Sequence, residues 1–452
     1  MPGTNRPKSL APFDPSYPFR DIFWKGDKIV WKNMFINYLR CLDHIYTLAI
    51  LLNDDKKITE NDIPIVGLAY NKSNLKHKKI LNQICENFFS NSGINDLPIS
   101  LENRNNPVRR SELLSHFKFI HQFALNSISE IYYKEGIFTK KKLKNHKQDF
   151  IKIIEKSGNL AEITNKLENE NQQNVTEIFF QQANMIGSQI ELMTKFDYSD
   201  KELSSNQFFL LSEFPEHFLS SLESSIYPNW YSASFLPDCT NSAIWGHYGD
   251  NHKGVCLKYK VKELDGKCSL DLETEYGYSS GPLIGMRPHL FQKIDYHNKH
   301  MEIDFFRSIG RMTKGELYNF WYSDENENIS ICAEHLNDKN EKWIEKYWDN
   351  FKSSILIKLK EWEYEQESRL IVNDFVNGYT EKDKRKMKYD FNDLEGIIFG
   401  IKTHTSDKIR ILKIIERKCK ESNRKDFDFF QAYYSKESGE IETQKLNFLK
   451  FD

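Results

Sequence analysis

The spacing of apolar residues changes character near residue 200, and that change limits the available folds more than any other feature of the chain. Before it, apolar residues recur at helical intervals along Ile29–Leu52, Ser111–Tyr133, Lys140–Lys156 and Val175–Thr194. Leu113, Leu114, Phe117, Ile120, Phe123 and Ala124 trace one such stripe. Asn- and Asp-rich breaks at Asn53–Asp55, Asn91–Asp96 and Asn103–Pro107 read as loops. Beyond about residue 205, short strand-like runs appear at Asn229–Phe235, Val255–Val261, Arg369–Phe375, Gly396–Phe399 and Phe427–Tyr434. Helices are expected between them over Lys342–Trp362 and Ser406–Lys420. The expectation is an α+β chain. A mainly helical region over 1–200 would precede a mixed domain over 201–452 with small, mainly antiparallel sheets, joined near 195–210.

A chain of 452 residues can bury a sizeable core in two or three domains. The 63 Lys and Arg nearly balance 65 Asp and Glu, so no whole-chain field draws the protein to nucleic acid or lipid. Lysines cluster at Lys140–Lys152, Lys382–Lys388 and Lys408–Lys420, which surface helices also do. Seven cysteines, odd in number and never as CxxC, argue against a disulfide framework and fit a reducing cytosol. The first residues lack an apolar signal core, and the apolar run Leu48–Leu52 is too short to span a bilayer. The expectation is a cytoplasmic protein with no membrane partner.

Two segments carry residue mixtures that neither a core nor a surface needs. Ile244–Tyr259, IWGHYGDNHKGVCLKY, reads as a helix end, a turn over Gly249–Gly254 and a strand. His247, Tyr248 and His252 could line a pocket there. Equally, Trp245 and Tyr248 could be core anchors, with the histidines capping the turn. Convergence of His247, His252 and Cys256 on zinc would leave a fourth position to fill, and the spacing matches no established signature. The second segment is Trp362–Arg369, WEYEQESR. As a strand it puts Glu363, Glu365, Glu367 and Arg369 on one face, an arrangement suited to developing positive charge. As a continuation of the preceding helix it makes Glu363–Glu367 and Glu365–Arg369 neighbours on a solvated face.

The two segments together resemble the bacterial family called domain of unknown function 2971. Trp245, His247, Tyr248, His252 and Gly254 match its first motif, and Trp362, Tyr364, Glu365, Glu367 and Arg369 match its second. Ser232–Phe235 and Ile397–Gly400 sit where the family has further strands, so the resemblance spans roughly 205–435. The family's opening Tyr-Arg strand and Asn-Asp-Pro-Phe segment are not placed here. The layout is in turn similar to that of ADP-ribosyltransferases, which implies a split sheet holding NAD as substrate. That similarity implies Glu367 or Glu365 against the nicotinamide ribose, with His247 contacting ribose. Tyr248 or Trp245 would stack on nicotinamide, His252 would line the site, and Arg369 would hold the glutamates or a phosphate. The function it implies is an NAD-consuming effector of bacterial conflict or antiphage defence, acting on a protein or nucleic-acid acceptor. The alternatives are a metal-dependent nuclease and a non-enzymatic sensor of a nucleotide or phage protein. In each, the helical region is a surface for a partner protein or a second copy.

Overall fold

The computed structural model describes residues 20–51, 56–65, 75–137, 164–169, 175–198, 204–336, 341–374, 379 and 381–447. They form two compact units: Arg20–Pro228 with Met301–Phe351, and Asn229–His300 with the chain from Lys352 onward. The units divide the chain at those three points and not near 195–210. An α+β architecture results, and among the described residues no helix is long and apolar enough to cross a membrane.

The first unit is mainly helical, built on Lys28–Tyr46, Leu75–Phe89, Ser92–Glu102, Arg110–Lys134, Val175–Tyr198 and Phe214–Ser224. The expected loop at Asn91–Asp96 is instead a helix start. The Asn91 side chain accepts from the Ile94 amide at 3.3 Å, so the polar cluster caps Ser92–Glu102. The helix expected over Lys140–Lys156 and the loop at Asn53–Asp55 lie outside the described residues. Residues 301–351 join this unit because two buried asparagines of Lys28–Tyr46 bind their backbone. Asn33 donates to the Trp321 carbonyl at 2.8 Å, and Asn37 donates to that of Phe320 at 2.9 Å. Strand Arg20–Trp24 also pairs in parallel with Met301–Asp304. Tyr38 stacks on Phe117 at 4.8 Å in the aromatic core.

The second unit holds the strands. Asn229–Phe235, Ser368–Asp374 and Gln292–Lys293 make one small sheet, with Arg369 opposite Ser234. Ile441–Lys445, Asp428–Tyr434, Leu394–Phe399 and Val255–Tyr259 make another. In the latter, helix Thr405–Ser422 connects Leu394–Phe399 to its parallel neighbour Asp428–Tyr434. A long hairpin, Lys267–Tyr278 with Pro282–Leu290, has no counterpart among the expected strands.

The helix expected over Lys342–Trp362 stops early. It spans Glu341–Leu356, after which Ile357–Leu359 pairs in parallel with Asp295–His297. The Ile355 carbonyl, which a continuing helix would use, accepts from Arg369 at 2.6 Å. Neither conformation considered for Trp362–Arg369 is adopted in full. Lys360–Glu365 is a 3-10 helix, Gln366 is left-handed at φ 47°, and the strand begins at Ser368.

The Gly249–Gly254 turn carries three consecutive left-handed residues, Asp250, Asn251 and His252, at φ 49°, 52° and 69°. Its latch is the segment after Leu394–Phe399. Gly400 donates to the Gly254 carbonyl at 3.1 Å, and Lys402 donates to that of His252 at 2.9 Å. A Cβ at Gly400 would lie 2.4 Å from the His252 oxygen, a backbone atom that cannot step aside. Gly400→Ala is therefore expected to cost about 1–3 kcal/mol, read as a lower denaturant midpoint at unchanged slope.

Candidate functional site

The end of the 3-10 helix and the left-handed Gln366 turn both carboxylates of the second motif inward. Glu365 and Glu367 are 2% and 3% exposed, whereas Glu363 is exposed. Two buried carboxylates need two cations. Lys358, on strand Ile357–Leu359, donates to Glu365 Oε2 at 2.5 Å and to Glu367 Oε2 at 3.0 Å. Arg369 Nε donates to Glu367 Oε1 at 2.7 Å. Ser234, from the paired strand, donates to that same oxygen at 2.5 Å. The Glu367 amide donates to the Tyr296 hydroxyl at 2.8 Å.

The first motif reaches this cluster through one side chain. The Tyr248 hydroxyl donates to Glu365 Oε1 at 3.0 Å, joining residues 117 apart in sequence. His247 is exposed and sets its ring edge-on to Trp362, with centroids 6.1 Å apart. Trp362 also lies under the Lys358 ammonium at 4.9 Å. Trp245 takes the core position weighed for it: buried against Ile398, Ala432 and Ile441, it donates Nε1–H to the Cys239 carbonyl at 2.8 Å. His252 serves the turn through its backbone, and its buried Nδ1 makes no hydrogen bond among the described residues. Among those residues no three His, Cys, Asp or Glu gather closely enough to hold a metal ion.

Charge and burial pull against each other at Glu367 and Lys358. Burial works to raise the Glu367 carboxyl, but Arg369, Ser234 and Lys358 outweigh it and hold the group below its ordinary 4.5. Burial works to lower Lys358, yet its carboxylate partners lift it above 10.5. Burial raises the Tyr248 hydroxyl above 10.0, against the pull of Lys358 and with help from Glu365. Stability from Glu367 is present above pH 4.5 and lost as pH falls through its depressed value, while that from Lys358 is lost only above pH 10.5. Glu367→Gln should accordingly flatten the acid limb of thermal stability against pH, as followed by calorimetry between about pH 3 and 6.

Glu365 also borders a cavity of about 340 Å³, together with Asp238, Thr240, Asn241, Tyr364 and Glu440. Among the described residues the lining includes three carboxylates and no Lys or Arg. Sharing the wall Leu236–Thr240 is a more apolar cavity of about 570 Å³, bordered by Cys239, Cys256 and Cys268.

Lys358, Ser234 and Tyr296 were not singled out from sequence. The alternation of Ile357 and Leu359 with Lys358 and Lys360 is a strand signal that could have exposed the first. The fold and site define the class: an α+β unit in which a tyrosine from one motif meets a buried, charge-balanced carboxylate pair from the other. Residues 244–370 match the family model described as Protein of unknown function (DUF2971), a stretch that includes Tyr248, Tyr296, Lys358 and both glutamates. No curated protein and no solved structure matches the chain.

Proposed function

We propose that the second unit cleaves the N-glycosidic bond of NAD and passes ADP-ribose to a protein or nucleic-acid acceptor, or to water. The observation that carries the reading is the buried Glu365 carboxylate, held by Lys358 and Tyr248 at the wall of a cavity that also has Asp238 and Glu440 in its lining. As nicotinamide leaves, positive charge develops at the ribose carbon, and a fixed carboxylate in a water-poor cleft stabilises it. Nicotinamide riboside is itself cationic, so Asp238 and Glu440 on the same walls suit that end of the molecule. The pyrophosphate would sit outside this cavity. Tyr248, 64% exposed, offers a ring for the nicotinamide and hydrogen-bonds Glu365. Glu367, Arg369 and Lys358 act as positioning residues. An effector role in bacterial conflict or antiphage defence is consistent with such an activity.

Incubating the purified chain with NAD should release nicotinamide, measured by chromatography with water alone and with protein, RNA and DNA acceptors. No release under any of these conditions sinks the catalytic reading. A second reading, ligand sensing without chemistry, draws on one observation: both oxygens of Glu367 are already engaged by Ser234, Arg369 and Lys358. Saturable NAD binding without turnover would select it.

The first unit supplies a surface for the partner in either reading. Helix Val175–Tyr198 exposes Met185, Ile186, Leu192, Met193 and Phe196, each more than half accessible. Replacing Met193 and Phe196 together by Glu should abolish assembly with that partner or a second copy, as seen by light scattering. Unchanged assembly would place the interface elsewhere.

A further inference from the structure

A second site lies away from Glu365 on the same unit, a cavity of about 660 Å³ along helix Thr405–Ser422. Its origin is topological. Val255–Tyr259 is the edge strand of its sheet, and the crossover helix buries Ile415 and Cys419 in a cluster with Leu394, Ile397, Phe399, Phe427 and Phe429. Ile415 and Cys419 are buried beneath the helix, while Ile414, one position from Ile415, remains 39% exposed. The space left is walled by Val255, Leu257, Phe391, Ile411, Ile414 and Ile415.

The rim has the opposite character. Arg410 and Lys418 stand two turns apart on the helix, about 12 Å along its axis. Lys386 and Lys388 border the other wall, and Asp407 is the one carboxylate among the lining residues. Lys386 pairs with Asp383 at 2.6 Å and Lys388 with Glu273 at 2.7 Å. Neither Arg410 nor Lys418 makes an ion pair with an acidic group among the described residues, although the Lys418 ammonium lies 5.8 Å from the Phe391 ring. An apolar slot of small-molecule size under unneutralised cations is complementary to one kind of ligand, a chain of methylenes ending in an anion.

We propose that this cavity binds a free fatty-acid carboxylate, with the acyl chain between the helix and the edge strand and the head group at Arg410 or Lys418. Titration of the full-length chain with saturated carboxylates of eight to fourteen carbons, followed by calorimetry, tests it. Affinity should rise about fourfold with each added methylene until the slot is filled. The alcohol of equal length should bind at least about tenfold more weakly, for want of a charge-assisted hydrogen bond. Arg410→Glu with Lys418→Glu should weaken the carboxylate by a similar factor, and both positions are exposed, so folding is unaffected. Ile414→Arg should block the chain without touching the rim. Absence of saturable binding, equal binding of alcohol and carboxylate, or indifference to all three substitutions would overturn the proposal. So would binding to anionic phospholipid vesicles but not to monomeric carboxylates. A dimer of the chain that Ile414→Arg dissociates would also overturn it, by showing that a second copy fills the slot.

Discussion

Arg369→Ala is expected to lower the unfolding free energy by about 3–5 kcal/mol, the range measured when a buried ion pair loses one partner. The size follows from what the substitution leaves behind. Glu367 is 3% exposed and would keep only Lys358 and Ser234 as side-chain partners. The Ile355 carbonyl, where the preceding helix gives way to strand, would also lose its donor. The melting temperature should fall by something on the order of 10 °C. The double variant Glu367→Gln with Arg369→Met removes the stranded charge and should recover part of the loss. A single variant within about 1 kcal/mol of wild type would mean that the cluster is far more hydrated than its burial implies.

The second large effect concerns chemistry. Glu365→Gln keeps the shape of the side chain and the acceptor for Tyr248 but deletes the charge at the cavity wall. If Glu365 stabilises the ribose cation, nicotinamide release should fall by about 10²–10³-fold with NAD affinity nearly unchanged. Lys358 still has Glu367 at 3.0 Å, so the fold should survive. Glu367→Gln differs in kind, because that carboxylate is enclosed by Ser234, Arg369 and Lys358. Its effect on turnover should track its effect on stability and be largely rescued at lower temperature. Turnover by Glu365→Gln within a few-fold of wild type would remove Glu365 from the mechanism.

Much of the strand half was legible. Asn229–Phe235 is a strand over the residues expected, and Val255–Tyr259, Ser368–Asp374 and Asp428–Tyr434 lie within a residue or two of expectation. These are short runs rich in β-branched and aromatic residues, which local sequence reports well. The meeting of the two motifs was also readable: it runs through the Tyr248–Glu365 hydrogen bond and the His247–Trp362 ring contact, while His252 serves the turn. What sequence did not show depends on partners distant in the chain. Strand Ile357–Leu359 exists because Asp295–His297 is beside it, and the charge pattern of Trp362–Arg369 could not reveal a left-handed Gln366. Lys358 lay within the stretch expected as the helix Lys342–Trp362, whose long apolar stripe masked the short alternation at Ile357–Lys360. The Lys267–Leu290 hairpin was missed although Leu270, Leu272, Thr274, Tyr276 and Tyr278 alternate with Asp271, Glu273, Glu275 and Gly277, a strand signal that its partner Pro282–Leu290, with Gly285 and Pro288, does not repeat.

The interleaving of the two units has a consequence for how the polypeptide can be made and divided. A ribosome that has released residues up to 228 has delivered a helical body without the strand Met301–Asp304, which Arg20–Trp24 needs as a neighbour. Asn229–Phe235 then waits for Ser368–Asp374, more than a hundred residues further along. The helical body cannot close before residues 301–351 are made, nor the small sheet of the other before Ser368–Asp374, so nascent chains depend on protection during that interval. Expression of either half alone, cut near residue 200 or 228, should give aggregates. A circular rearrangement that keeps 301–351 with the helices is the more promising route to a free-standing module.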